Sequence, residues 1–331
     1  MKVRSGPLAY LLYLLIRSAL ALLQIFPVER NLGTAQWFAC IWARLMPRHR
    51  QRALAHLVQS LGQCYSARER SALADRCLAQ WTMFAIELMY TARLITAFSW
   101  HRYVRLVNFD EVLDLALQGR GLILVTGHYG QFELPGHLLA CLGFEVAAVM
   151  RPLDNVYLND HVVRTRATHG LRLLDKKGAL QSAENLLRTG ALLGFIADQD
   201  AGRKGVFVEF FGRPASTYKS IALLAMKTRS PIVVGYARRR GSRFQYDVGV
   251  QRIIRPEEWD EQADPVFWIT QTYTAAIEAF VRDVPEQYLW IHRRWKTAPS
   301  VRMTCADATV RESGKAAGSA AGSREAGASA P

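Results

Sequence analysis

His128 stands five residues before Glu133 in the segment Thr126-Gly127-His128-Tyr129-Gly130-Gln131-Phe132-Glu133-Leu134-Pro135-Gly136-His137. An imidazole titrates near neutral pH and can take the proton of an attacking hydroxyl. A carboxylate that accepts the other ring N–H fixes the tautomer and stabilises the imidazolium as the proton arrives. On one ideal helix, positions i and i+5 point about 140° apart. The pair therefore meets only with His128 in a loop and Glu133 in the first helical turns. Gly127 and Gly130 permit such a turn and the close approach of a substrate. The same spacing also suits an ordinary hydrogen-bonded loop histidine. A metal reading stays open too, with His128, Glu133 and His137 as ligands, although the chain carries no HExxH or other zinc spacing.

The elements around this segment decide whether it can work. Apolar runs of strand length alternate with helical stretches from about residue 105 onward. Residues 121–126, 144–150, 191–197, 206–211, 231–237 and 244–250 read as strands. Residues 132–142, 157–168, 179–189, 218–228 and 264–284 read as helices. The alternation predicts an α/β fold with a mixed, largely parallel sheet flanked by helices. His128 then lies at the carboxyl end of a strand, where ligands and catalytic groups gather in such sheets. Residues 30–104 read as mainly helical, with Leu54, Leu57 and Leu61, then Leu73, Cys77, Trp81, Phe84 and Leu88, recurring at three- and four-residue intervals. The expected organisation is a membrane-anchoring helix over 1–29 and a helical region over 30–104. An α/β catalytic core over 105–303 follows, then an Ala/Gly/Ser-rich disordered tail over 304–331.

Half of the 331 residues are hydrophobic, so the chain can bury a sizeable core. The net charge of +14 attracts polyanions such as anionic lipid, phosphorylated sugars or an acidic carrier protein. The basic residues are scattered among apolar ones, and no zinc-finger spacing, RNP-type motif or basic arm is present. Nucleic acid is therefore the poorer partner and a membrane surface the better one. Five cysteines without CxxC spacing argue against a disulfide framework and for a reducing compartment. The run from Pro7 to Pro27 is almost wholly apolar, interrupted by Arg17, Ser18 and Gln24. A helix of that length matches the hydrocarbon thickness of a bilayer, about 30 Å. A cleaved signal peptide is the rival reading, but the apolar run continues past Ala19-Leu20-Ala21 to Phe26. Spanning the bilayer and lying on it both remain open.

Several ordered blocks carry a family resemblance. The Gly127–Leu134 segment resembles the His–x4–Asp/Glu motif of the lysophospholipid acyltransferase superfamily, in the form found in lipid A biosynthesis lauroyl/myristoyl acyltransferases. Met150-Arg151-Pro152-Leu153 is similar to the next block of that family. Ala197-Asp198-Gln199-Asp200 with the stretch Gly205 to Thr217 resembles the third, Pro231-Ile232-Val233-Val234 the fourth, and Pro285 to Lys296 the closing motif. The resemblance runs from the amino-terminal anchor to about Lys296.

It implies an O-acyltransferase that moves a fatty acyl chain from an acyl-carrier-protein thioester, or acyl-CoA, to a hydroxyl of a lipid A precursor or related glycolipid. His128 would be the general base and Glu133 its partner. The expected site is the bacterial cytoplasmic membrane, with the catalytic groups facing the cytoplasm. The chemistry needs no metal or organic cofactor. Arg151, just past a strand end, is a candidate for acceptor phosphate or a surface ion pair. Asp198 and Asp200, flanking Gln199, position an acceptor sugar or cap a turn. Arg213 reads as part of a substrate-lining loop with Pro214, Ser216 and Thr217. His292, Arg293 and Arg294, with Trp290 and Trp295, read as an amphipathic cluster near anionic lipid. Other acceptors, a lysophospholipid or a phosphoinositide mannoside, remain open, as do a metal-dependent hydrolase and a non-catalytic glycolipid-binding protein.

Overall fold

Strands that read as continuous apolar runs become the middle of the sheet, because a parallel strand covered on both faces has no side for water. The computed structural model describes residues 5–150, 153–167, 170–175 and 179–299. The helices α1 (Pro7–Leu23), α2 (Val28–Gly33), α3 (Ala35–Leu45), α4 (Pro47–Leu61) and α5 (Ala67–Leu94) come first. The alternating part follows with β1 (Val104–Val107), α6 (Asp110–Leu117), β2 (Leu122–Thr126), α7 (Leu134–Cys141), β3 (Val146–Met150), α8 (Val156–Ala167), β4 (Leu171–Asp175), α9 (Ala179–Arg188) and β5 (Leu192–Ile196). Then come β6 (Val206–Phe210), β7 (Arg213–Thr217), α10 (Ser220–Thr228), β8 (Ile232–Arg239), β9 (Tyr246–Ile254), α11 (Pro256–Asp260) and α12 (Pro265–Asp283).

Seven strands form one sheet in the order β1-β9-β8-β2-β5-β3-β4. Its pairings are parallel except for β8 with β9. The strands β6 and β7 form a separate antiparallel ribbon. Along β2, Ile123 and Val125 point into one core with Tyr273, Ile277 and Phe280 of α12. Leu122 faces the opposite core, with Leu134 and Leu138 of α7. That is the two-residue alternation of a strand buried on both sides. The register is what matters for the site: Thr126 of β2 lies beside Ile196 of β5, so two residues further on the two strands place His128 beside Asp198.

The long helix α5 starts at a capping box. Ser66 Oγ accepts from the Glu69 N–H, and the Ser66 N–H donates to Glu69 Oε2 at 2.7 Å. It is fastened to β8 by a buried ion pair, Glu87 with Arg239 at 2.5 Å. Burial pushes the Glu87 carboxyl upward against the pull of Arg239.

Within the anchor segment expected over 1–29, the first helix covers Pro7–Leu23 only. The helix stops at Leu23, and its last carbonyl is taken by the Asn31 side-chain amide and the Tyr90 hydroxyl, each at 2.7 Å. These side chains satisfy a carbonyl that a continuing helix would bond itself. No single described helix is long and apolar enough to cross a membrane. Together with Val28–Leu45, α1 forms a pair that passes by length and composition but is bent by 108°. No residue of α1 is buried, and Leu8, Leu11, Leu15 and Leu22 are exposed. Its other side meets α8, where Arg17 donates to the His161 ring at 2.8 Å and Tyr10 packs on Tyr157. The stretch 304–331 lies outside the described residues.

Candidate active site

The loop after β2 is held by its own backbone. Tyr129 N–H donates to the Gly127 carbonyl, Gly130 N–H to Gln287, and Gln131 N–H to Ala237, while the His128 carbonyl accepts from Leu289 N–H at 3.0 Å. Gly130 has a φ of +53°, and a Cβ there would stand 2.0 Å from the Ala237 oxygen, so only glycine fits. Gly127 lets the chain pass close to the Asp198 carboxyl, 3.4 Å from where a Cβ would be.

This loop delivers His128 to Asp198. The His128 backbone N–H donates to Asp198 Oδ2 at 2.9 Å, and ring Nδ1 donates to Oδ1 at 2.7 Å. The Asp198 side chain is 1% exposed. Burial works against ionising it, but the charge and the hydrogen bonds of His128 outweigh burial and hold its pKa at about 2. Burial likewise opposes charge on His128, and the Asp198 carboxylate overcomes it, so the histidine pKa is raised above its ordinary value. With the proton on Nδ1, the Nε2 lone pair faces the Gln199 amide nitrogen, 3.3 Å away. Phe132 meets the ring edge-on at 5.2 Å and His292 stacks near-parallel at 5.8 Å. Burial lowers the pKa of His292.

The partner expected for His128 is therefore corrected. Glu133, at the start of α7, gives both carboxylate oxygens to Arg166 of α8, at 2.6 and 2.5 Å. Five residues of separation carry Glu133 through the loop and toward α8, whereas the sheet register brings Asp198 directly alongside. The metal set is likewise not assembled. His137 is buried with Nε2 on the Ile95 carbonyl at 2.8 Å, and among the described residues no cluster of three metal-ligating groups occurs.

A cavity of about 590 Å³ opens beside the ring. His128, Phe132, Glu133, Arg166 and Gln199 stand at its polar end. Beyond them it is walled by apolar side chains of β2, β3, β5, β8 and β9, among them Leu124, Val146, Phe195, Val233 and Val248. Its size is that of an ordinary small-ligand site, and its mostly apolar wall with a few convergent polar groups suits a molecule with a greasy tail and a reactive head.

The other expected site residues fall in different places. Gln199 lines the cavity. Asp200 locks a turn: its carboxylate accepts from Gly202 N–H and from the N–H and hydroxyl of Thr297. Arg213 does not sit in a substrate-lining loop. It opens β7, stacks 3.9 Å over the Trp295 ring and donates to Gln59. Arg151 lies outside the described residues. Arg294, expected near lipid, is buried and donates to the carbonyls of Ser216 and Gln199. Two groups around the cavity or the His128 ring carried no chemical signal in the sequence. Arg166 is one basic residue in a helical stretch, and Trp81 reads as part of a core stripe although its ring lies 6.5 Å from His128.

A family model described as bacterial lipid A biosynthesis acyltransferase matches residues 2–297. Among curated proteins, a lipid A biosynthesis lauroyltransferase of Escherichia coli (strain K12) is 28% identical over 200 residues, covering 60% of this chain and 63% of its own. A lipid A biosynthesis palmitoleoyltransferase of the same strain is 29% identical over 200 residues, 58% of this chain and 61% of its own. A lipid A biosynthesis acyltransferase of Haemophilus influenzae (strain ATCC 51907 / DSM 11121 / KW20 / Rd) is 26% identical over 285 residues, covering 83% and 86%. The matched segment spans about three fifths of the length of the two E. coli relatives.

Proposed function

Because the chain belongs to the bacterial lipid A biosynthesis acyltransferase family, we propose that it transfers a fatty acyl chain from a thioester to a hydroxyl of a lipid A precursor, with His128 as general base. The observation that carries this reading is the His128–Asp198 pair, whose imidazole lines a largely apolar cavity. The acyl tail lies in the cavity with its carbonyl near the ring. Nε2 takes the proton of the acceptor hydroxyl as the oxygen attacks the carbonyl carbon, and Asp198 stabilises the imidazolium that results. Collapse of the tetrahedral intermediate breaks the C–S bond, and the leaving thiolate takes the proton back from Nε2. Glu133 and Arg166, bonded to each other at the rim, position the polar head of a substrate.

The donor is an acyl-carrier-protein thioester, with acyl-CoA as the alternative. An acidic carrier suits a chain of net charge +14, since opposite charge steers encounter. The exposed leucines of α1 support attachment to the bacterial cytoplasmic membrane, with the helix lying in the interface and the cavity open to the cytoplasm.

The test is incubation of membranes containing this protein with labelled acyl-carrier and acyl-CoA donors, followed by mass spectrometry of the extracted lipids. An acylated lipid A precursor is expected. A labelled lysophospholipid or phosphoinositide mannoside in its place would reassign the acceptor. Free fatty acid as the sole product would sink the transferase reading.

A further inference from the structure

The acyl transfer proposed above needs a donor for the oxygen that becomes negative when the thioester carbonyl is attacked. Four consecutive backbone N–H groups of the loop nearest the base are already committed. His128 N–H is on Asp198, Tyr129 on Gly127, Gly130 on Gln287 and Gln131 on Ala237. Arg166, the nearest cation lining the cavity, is bonded to Glu133 through both carboxylate oxygens. Among the side chains that line the cavity, Gln199 brings an N–H donor beside the His128 ring.

We propose that the Gln199 side-chain amide is the oxyanion donor of this reaction. Resting on the acyltransferase reading, the assignment follows from where the amide nitrogen sits. It faces His128 Nε2 at 3.3 Å, a long contact, and lines the cavity beside the same ring. An acceptor hydroxyl bound to Nε2 displaces that contact. The freed N–H then lies within about one hydrogen-bond length of the space beside the attacked carbon.

The main chain that carries the amide is fixed on both sides. Asp198 is locked to His128, and Asp200 is tied to Gly202 and Thr297. The buried Arg294 guanidinium holds the Gln199 carbonyl at 3.3 Å and the Ser216 carbonyl at 2.6 Å. Gln199 itself is exposed and lines the cavity, so its side chain turns from a fixed anchor. As the hydroxyl proton passes to Nε2 and the C–O bond forms, the carbonyl electron pair moves onto oxygen and accepts the amide hydrogen bond. When the C–S bond breaks, the pair returns and the bond weakens. A donor stronger in the transition state than in the ground state raises kcat rather than lowering KM.

The experiment compares the full-length wild-type chain with Gln199→Ala and Gln199→Asn, using an acyl-carrier thioester and a lipid A precursor over a pH series. Thermal midpoints accompany each variant. Gln199→Ala should lose about 10²–10³-fold in kcat, with KM within about threefold and the acid inflection of kcat/KM unmoved. Gln199→Asn, which keeps the amide on a shorter stem, should recover part of the loss. Wild-type kcat in a folded Gln199→Ala protein would overturn the proposal. A loss confined to KM would make Gln199 a ground-state binding residue, and a shifted inflection would make it a modulator of the base; either result also overturns it. Absence of transfer by the wild-type chain from either donor would instead remove the acyltransferase reading on which the proposal stands.

Discussion

Two carboxylates stand near the cavity in opposite surroundings, Glu133 lining it and Asp198 buried behind His128. Asp198 is sealed, with a side chain 1% exposed and both oxygens on His128. Glu133 is at the rim, 28% exposed, with both oxygens on an Arg166 side chain that is itself 22% exposed. Asp198 is seventy residues from His128 in the chain and Glu133 only five, yet the distant one touches the ring. In a parallel sheet the residues that meet are those at equal height on adjacent strands. The loop that separates His128 from Glu133 turns the nearer carboxylate away. Burial then sets the strength of each contact, since a pair removed from water interacts far more strongly than one at the surface.

The comparison can be broken most severely at its centre. His128→Ala should lower the acyl-transfer rate by about 10²–10⁴-fold, the usual range for a general base, with circular dichroism unchanged; undiminished transfer would remove the assigned base. Asp198→Asn should cost nearly as much, because the tautomer and the imidazolium both lose their partner. Its pH profile carries a sign. The neutral ring is the active form, so the rate climbs as pH rises through the His128 pKa, which the carboxylate holds above the ordinary value near 6.5. Without that carboxylate only burial is left, and the inflection should move below 6.5. The stability difference between wild type and Asp198→Asn should be widest at roughly pH 4–6.5. It should shrink below that as the Asp198 carboxylate is protonated toward about 2, and above it as His128 loses its proton. Urea unfolding midpoints across pH would reveal this.

Glu133→Gln and Arg166→Ala should be milder, about tenfold or less in kcat/KM and within about 1 kcal/mol in stability, as suits a partly exposed ion pair. A double-mutant cycle showing that each variant removes the same contact would sharpen the assignment of a shared positioning role. A loss from Glu133→Gln equal to that from Asp198→Asn would return Glu133 to the chemistry. The smallest effect in rate belongs to the cavity floor. Gly194 lines it, and a Cβ there meets Ala147 O and Ala148 Cβ at 3.7 and 3.9 Å, ordinary contacts. Gly194→Val should therefore fold and fill space used by the acyl tail. Preference should move toward shorter chains by about tenfold, read from competition between donors of different length.

The sequence by itself determined a good deal. Apolar runs cut by glycines and alternating with amphipathic stretches imposed helices around a mostly parallel sheet, and the end of β2 had to present His128 in a loop. Local chemistry is sufficient for this, because periodicity and turn residues act over a few positions. Strand order and register are not local. They decided that Asp198 meets His128, and the packing of α7 and α8 decided that Arg166 takes Glu133. Packing between distant segments likewise decided that Arg213 lies on a strand against Trp295 and that the first helix stops at Leu23 under the Asn31 and Tyr90 side chains. A residue's type states what its side chain can do; its partner is fixed by backbone hydrogen bonds and packing between segments far apart in the chain, which only the folded structure reveals.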